Sequence, residues 1–278
     1  MKEVDERDWV RISPDGMGIV RALKELAQAW DLFRLLVGRH LKIRFAQTAM
    51  GAVWVLLQPL MTALIFSILF GTFVKVPSEG LPYVVFAYPA MVLWTFFAQA
   101  LEKGNSSLLA EERLITKVYF PRLVIPLAAS TSMLADFVIS ALLIIPIGLI
   151  FSVQVKFSVF FAILALPPVY ILGSSLGMLF ASLSIRFRDF RQLAPFLVQV
   201  WFYGTPVVYA LGVVPENFRT GLLLNPLSAP ILLFRHAFTG TQAPPLWSLG
   251  WSYGVTLVVA VISLFVFRRV ERRMADWL

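Results

Sequence analysis

Six long apolar runs govern what this chain can fold into: residues 49 to 73, 81 to 101, 123 to 153, 157 to 185, 193 to 214 and 247 to 267. A hydrocarbon core of about 30 Å takes roughly 20 apolar residues of helix, and each run reaches that length. Peptide groups in lipid have no water to bind, so such segments must be helical and satisfy their own backbone. Composition agrees, with 59% hydrophobic residues, 14% charged residues and a mean hydropathy of +0.79, which is too apolar for an ordinary soluble domain. The expected architecture is an all-α integral membrane protein. Residues 49–267 form six transmembrane helices, 1–48 a cytoplasmic N-terminal segment and 268–278 a cytoplasmic tail. Pro59, Pro89, Pro126, Pro146, Pro167, Pro168 and Pro206 fall inside the runs; kinks are expected there, with the freed carbonyls satisfied by neighbouring helices.

Charge sets the orientation. Of 24 Lys and Arg, 20 lie before the first run, in residues 102–122 and 186–191, or after residue 267. Positive loops stay cytoplasmic, so both termini are expected on that side. Lys75, Lys156, Arg219 and Arg235 occupy the opposite face. The formal charge of +8 is thereby accounted for as topology, and no basic soluble domain remains to host nucleic acid. The mixed first 48 residues do not have the pattern of a cleavable signal peptide. With no cysteine, and with His40 and His236 far apart, neither a disulfide framework nor a metal site is expected.

Two regions outside the runs carry order. In residues 20–37, Leu23, Leu26, Ala27, Trp30, Phe33 and Val37 share one helical face, opposite Arg21, Lys24, Gln28, Asp31 and Arg34. This predicts an amphipathic helix in the membrane interface, or one packed on a partner protein. Residues 215–246 hold five prolines and two short apolar pieces. Such pieces fit re-entrant helices at the outer mouth of a path, or helices lying flat on the outer surface.

Catalytic signals are weak. Gly173-Ser-Ser-Leu-Gly177 has the nucleophile-elbow spacing, but it lies inside a span, where two glycines four apart give a close helix-packing face. No phosphate-binding loop of the G-x-x-x-x-G-K-[ST] kind occurs, so ATP is not expected to bind here. Asp136 is the one acid deep in a run. It is either a titrating group or a structural hydrogen-bonding one, with Ser132 one turn away. Trp54 and Gln58 in the first run, and Gln199, Phe202, Tyr203, Pro206 and Tyr209 in the fifth, form faces suited either to sugar rings or to plain helix packing.

Four stretches, read together, resemble a known family. "RFAQTAMGAVWVLLQPL" (44–60), "LITKVYFPRLVIPLA" (114–128), "RFRDFRQLAPFLVQVWFYGTPVVY" (186–209) and "LNPLSAPILLFRHAFTG" (224–240) are similar, in order, to the membrane subunit of type-two ATP-binding cassette exporters. That class moves O-antigen, teichoic acid or capsular polysaccharide. Phe45, Thr48, Met50 and Phe187 depart from its pattern conservatively. The resemblance implies a homodimer bound to two ATPase subunits, which hold the ATP and magnesium, exporting a lipid-linked polysaccharide across a bacterial inner membrane. It implies ATPase coupling through Asn105, Glu111, Glu112, Arg113 and Lys117. The inner mouth, or an anion contact, would use Arg44, Arg186, Arg188, Asp189 and Arg191. Trp54, Gln58, Gln199, Phe202, Tyr203 and Tyr209 would line the path, and Asn225, Pro226 and Arg235 an outer gate. An exporter of drugs or small lipids is a rival, since fold does not fix cargo. An ion-coupled secondary transporter is a weaker one, because no internal repeat is visible.

Overall fold

A computed structural model describes residues 19–46, 53–117, 120–153, 158–272 and 274, and all regular structure among them is helical. The elements are α1 (Ile19–Gln28), α2 (Trp30–Ala46), α3 (Val53–Phe66), α4 (Tyr83–Ala110), α5 (Glu112–Lys117), α6 (Val124–Leu142), α7 (Ile144–Ile150), α8 (Val159–Arg186), α9 (Asp189–Tyr203), α10 (Glu216–Leu224), α11 (Ser228–Thr239) and α12 (Leu246–Glu271). Among the described residues, five segments are long and apolar enough to cross a membrane: Val53–Phe73, Tyr83–Ala110, Val124–Ile150, Phe160–Arg186 and Leu246–Glu271. The run expected at 193–214 takes a different form. Its helix, α9, has 15 residues, about 22 Å at 1.5 Å per residue, and stops at Tyr203 ahead of Gly204 and Pro206.

Helix α4 is the axis of the bundle. Of its most apolar stretch 83% is buried, against 17% for the first segment and 22% for α12, so α3 and α12 lie at the periphery. Small residues let α8 approach α4. A Cβ built on Gly177 would stand 2.8 Å from the Leu101 carbonyl oxygen and 3.1 Å from the Gly104 Cα, and one on Gly173 would stand 3.2 Å from the Phe97 carbonyl oxygen. The Gly173–Gly177 pair is therefore a packing face, as its place inside a span suggested.

Proline placement explains several inter-helix hydrogen bonds. A proline deprives the carbonyl four residues before it of its helical N–H. Val55 O, ahead of Pro59, accepts instead from Ser140 Oγ at 3.2 Å. Leu164 O, ahead of Pro168, accepts from the Tyr253 hydroxyl at 2.6 Å, and Arg191 O, ahead of Pro195, from Asn105 Nδ2 at 3.2 Å. At Pro146 the helix gives way instead, since α6 ends at Leu142 and α7 begins at Ile144. The first segment winds from α3 into a π-helical turn, Ser67–Phe73. There Gly71 lets the backbone lie where a Cβ would come within 2.9 Å of Tyr83 Cβ.

The basic segments gather at one end of the bundle. Arg122 donates its backbone N–H to Glu271 Oε1 at 3.1 Å and its guanidinium to Glu271 O at 2.9 Å. Leu36, Leu108, Ile115, Val124, Met178 and Phe267 form a single apolar cluster there. The region expected as one amphipathic helix over 20–37 is a pair, α1 and α2, with α2 running on to Ala46. Leu36 is buried there, at 1% exposure, whereas Trp30 stays 54% exposed and stacks on Phe33 at 5.3 Å. Among the described residues, ion pairs fasten this pair of helices: Glu25 to Arg268 at 2.5 Å, Arg39 to Glu111 at 2.7 Å and Arg44 to Asp136 at 2.6 Å.

Candidate functional site

At the basic end, α2, α3, α4 and α6 line an open polar cleft of about 450 Å³. Helical spacing builds it. His40 and Arg44 are four apart on α2, while Gln99, Glu102, Lys103 and Ser106 recur on one face of the last turns of α4. Gln58 comes from α3, Ala129, Ser132 and Met133 from α6, and Ile43, Ser107 and Ala110 fill in between. Burial holds the His40 imidazole below its ordinary value of 6.5; the Glu111 carboxylate opposes this, and Arg39 and Lys103 add to it. The ring is thus neutral at pH 7, and its Nε2 is buried with no hydrogen-bond partner among the described residues. Arg44 sets its Nη2 against Asp136 Oδ2 at 2.6 Å and its Nη1 against the Met133 sulfur at 3.1 Å, a weak acceptor.

At the other end, the stretch 204–210 has its carbonyls held by side chains instead of helix. Arg235, with no exposed surface, donates to Pro206 O at 2.8 Å, Val207 O at 2.5 Å and Tyr209 O at 3.4 Å. Its guanidinium carbon stands 4.0 Å from the Phe86 ring centroid. The Tyr83 hydroxyl donates to Val208 O. Asn225 Nδ2 donates to Gly204 O at 2.9 Å and Thr205 Oγ1 at 2.8 Å, while its Oδ1 accepts from Trp201 Nε1 at 2.9 Å. Side chains thus take over the carbonyls that a continuous helix would have satisfied, as buried backbone requires.

The profile of the ABC-2 type transporter family matches residues 31–239. The chain belongs to this family. It is 28% identical over 263 residues to the O-antigen export system permease protein RfbA of Myxococcus xanthus, a match covering 91% of this chain and 98% of that one. The protein of the same name from Klebsiella pneumoniae is 27% identical over 257 residues, covering 90% and 96%. The polysialic acid transport protein KpsM of Escherichia coli is 21% identical over 239 residues, covering 85% and 92%.

In this ABC-2 transporter chain the residues singled out from sequence separate into buried struts and exposed faces. Glu112, Arg113 and Lys117 on α5 are exposed. Glu111 is not: it is 7% exposed and paired with Arg39. Asn105 is likewise buried, accepting from Ser184 Oγ at 3.1 Å while it donates to Arg191 O. These two, expected as contacts for an ATPase, are internal ties between α4 and its neighbours. Arg186, Arg188, Asp189 and Arg191 stay exposed between α8 and α9, with Arg186 placed 5.0 Å from the Phe187 ring centroid.

The aromatic set divides as well. Trp54, Gln58, Gln199 and Tyr203 are exposed, whereas Phe202 turns inward against Phe66 at 5.7 Å and Trp94 at 5.4 Å. Tyr209 lies beyond the end of α9, so helical spacing no longer governs it, and its hydroxyl donates to Tyr203 O at 3.2 Å. Asn225 and Arg235 meet at the 204–210 break, and Pro226 O accepts from Ser252 Oγ at 2.5 Å. Asp136 has Arg44 as its partner. Ser132, the neighbour expected for it, bonds to Ala129 O instead, at 2.7 Å.

Proposed function

We propose that this chain is the membrane permease of an ATP-driven exporter of lipid-linked polysaccharide, O-antigen-like, acting as a homodimer with two ATPase subunits that bind ATP and magnesium. What carries the reading is the similarity along nine-tenths of the chain to proteins named for O-antigen export. The arrangement of charge supports it. All described basic segments outside the outer loops lie at one end, which is taken as cytoplasmic, with both termini there.

In this reading α1 and α2 lie in the cytoplasmic interface, and the exposed face of α5 seats in the ATPase. The apolar stretch that begins with α9 and continues through the 204–213 break serves as a sixth crossing. Helix α11 dips into the outer leaflet beside that break, and Arg235 and Asn225 hold the outer gate. Trp54, Gln58, Gln199 and Tyr203, exposed on α3 and α9, face the path, and a second copy closes it, as cyclic symmetry favours. ATP binding and release in the partner shifts the dimer between states with different contacts along that path. An ion-coupled secondary transporter would need an available intramembrane acid, and Asp136 is already paired with Arg44.

The test is ATP turnover by the reconstituted permease–ATPase complex in proteoliposomes. Stimulation by lipid-linked glycan, and not by small amphiphiles, is the expected result. Turnover that responds to small amphiphiles alone, or solute movement by the isolated chain under a proton gradient, defeats the reading.

A further inference from the structure

We infer that Tyr83 is a positioning residue that joins the π-helical turn of the first segment to the 204–210 break, so that the two irregular stretches loosen and tighten together as one outer gate. Their service as a gate rests on the exporter reading, whereas the coupling between them rests on geometry.

Ser67–Phe73 is wound too wide for an α-helix. Val74 donates its N–H to Leu69 O, five residues back, at 2.9 Å, and Val76 donates to Phe70 O, six back, at 2.7 Å; an α-helix would use the carbonyl four back. Such turns are rare and are frequent at functional sites. No proline lies within this one, and none of its residues is fully buried, so neither a missing donor nor core packing imposes it. Tyr83 braces it instead. Gly71 lies so close that a Cβ there would stand 2.9 Å from Tyr83 Cβ and 3.3 Å from its Cγ, and the Phe70 and Tyr83 rings are 6.4 Å apart. Just beyond, Lys75 has a φ of 55°, a left-handed conformation that disfavours any residue with a Cβ. The turn is braced at its middle and strained at its far end.

From the first turn of α4, Tyr83 also reaches the break. Two side chains take four successive carbonyls there: Arg235 donates to those of Pro206, Val207 and Tyr209, and the Tyr83 hydroxyl donates to that of Val208 between them. The Phe86 ring lies 6.0 Å from that of Tyr83 and 4.0 Å from the Arg235 guanidinium carbon. Tyr83 is 6% exposed, so its ring cannot tilt without moving these neighbours. Returning the π-turn to α-helix shifts its register by one residue, about 100° of rotation, which takes Gly71 off Tyr83 and frees the hydroxyl to leave Val208. Opening of the break, in turn, lets the ring move and the π-turn relax, because coupling is reciprocal.

The experiment measures maleimide labelling of Val208→Cys in the full-length chain in detergent, against a background without native cysteine. The atoms nearest Gly71 are those of Tyr83 and Ser67, so the methyl of Gly71→Ala acts on the break only through Tyr83. Labelling should speed up by about fivefold, as loss of one net hydrogen bond allows. Tyr83→Phe should give a similar rise, and Gly71→Ala should add nothing to it. Two controls should match the parent: Gly221→Ala, which meets nothing within 4 Å, and Gly177→Ala, which strains the α4–α8 contact toward the other end of α4. Phe70→Leu takes a ring away from Tyr83 without adding an atom and should also speed labelling; it decides the matter where Gly71→Ala does not fold.

A labelling rate within about twofold of the parent, the usual margin for independent sites, overturns the coupling. A rise that adds to that of Tyr83→Phe overturns the route through Tyr83, and an equal rise with Gly177→Ala marks general loosening and overturns both. In proteoliposomes holding the permease–ATPase complex without ATP, Gly71→Ala should leak a small entrapped dye faster than Gly221→Ala; equal leak overturns the sealing role. None of the labelling results touches the exporter reading, which stands or falls on glycan-stimulated ATP turnover in the complex.

Discussion

Arg44 and Asp136 meet at 2.6 Å across the contact between α2 and α6, so the one acid deep in a span is paired with a cation from outside the spans. A buried carboxylate without a counter-charge is costly, and removing only one member of such a pair leaves that cost exposed. Arg44→Met should therefore destabilise the chain by about 3 kcal/mol, the low end of the usual range for a buried pair, because Arg44 keeps 28% exposure. The double variant Arg44→Met, Asp136→Leu should recover part of that loss. Thermal melting in detergent separates the two, and a double variant no better than the single would show that the pair has no buried-charge cost.

Packing of α8 on α4 gives a second expectation. Gly177→Ala places a methyl 2.8 Å from a backbone oxygen that cannot turn away, so the helices must separate, at about 1–3 kcal/mol for an overpacked core. Gly250→Ala on α12 meets nothing within 4 Å and should be neutral or slightly stabilising, since alanine favours helix. Equal melting temperatures for the two variants would refute the close α4–α8 contact.

The 204–210 break depends on Arg235 and Tyr83. Tyr83→Phe removes one donor and should cost about 1 kcal/mol. Arg235→Lys should cost more, because a compact ammonium cannot span three carbonyls as the planar guanidinium does. The chain has no cysteine, so a single Val208→Cys reports directly on this stretch. Thiol labelling there should be slow in the parent and fast with Arg235→Lys; slow labelling in both would mean that Arg235 does not hold the break.

His40 predicts a pH dependence. Burial places its folded pKa below 6.5, against the opposing pull of Glu111 and with Arg39 and Lys103 beside it. The unfolded ring takes its proton near pH 6.5 and the folded ring only at lower pH. The stability linked to it is therefore complete above pH 6.5 and declines as pH falls below that value. Melting temperature should drop between pH 7.5 and 5.5, and His40→Gln should shrink the drop. An unchanged drop would assign it to other groups.

Five of the six apolar runs could be read from the sequence because length and hydropathy alone define a spanning helix. The run at 193–214 is helical only as far as Tyr203, because hydropathy does not register that Gly204 and Pro206 end α9 there. The polar cleft was hidden for two reasons. Ending the second run at residue 101 made Lys103 a loop residue, whereas α4 continues to Ala110. The Arg44–Asp136 and Arg39–Glu111 pairs, in turn, join segments distant in sequence, which no local period reveals. Local spacing did identify Gly173–Gly177 as a packing face, because the helix that presents it is regular.

The turn after α4 separates two roles that the sequence had merged. Glu111 caps the end of α4, its carboxylate is buried against Arg39, and its carbonyl accepts from the N–H groups of Leu114 and Ile115 that open α5. Glu112, Arg113 and Lys117 point outward from α5, where surface substitutions usually change stability by less than about 0.5 kcal/mol. Glu111→Gln should thus lower the melting temperature of the isolated chain by loosening α2. Glu112→Ala with Arg113→Ala and Lys117→Ala should leave that temperature unchanged and instead weaken assembly with the ATPase or uncouple its turnover from transport. Co-purification and glycan-stimulated ATP hydrolysis, measured beside thermal melts of the chain alone, distinguish the outcomes. A triple variant that assembles and turns over like the parent would remove α5 as the coupling surface and direct attention to the exposed Arg186–Arg191 turn at the same end of the bundle.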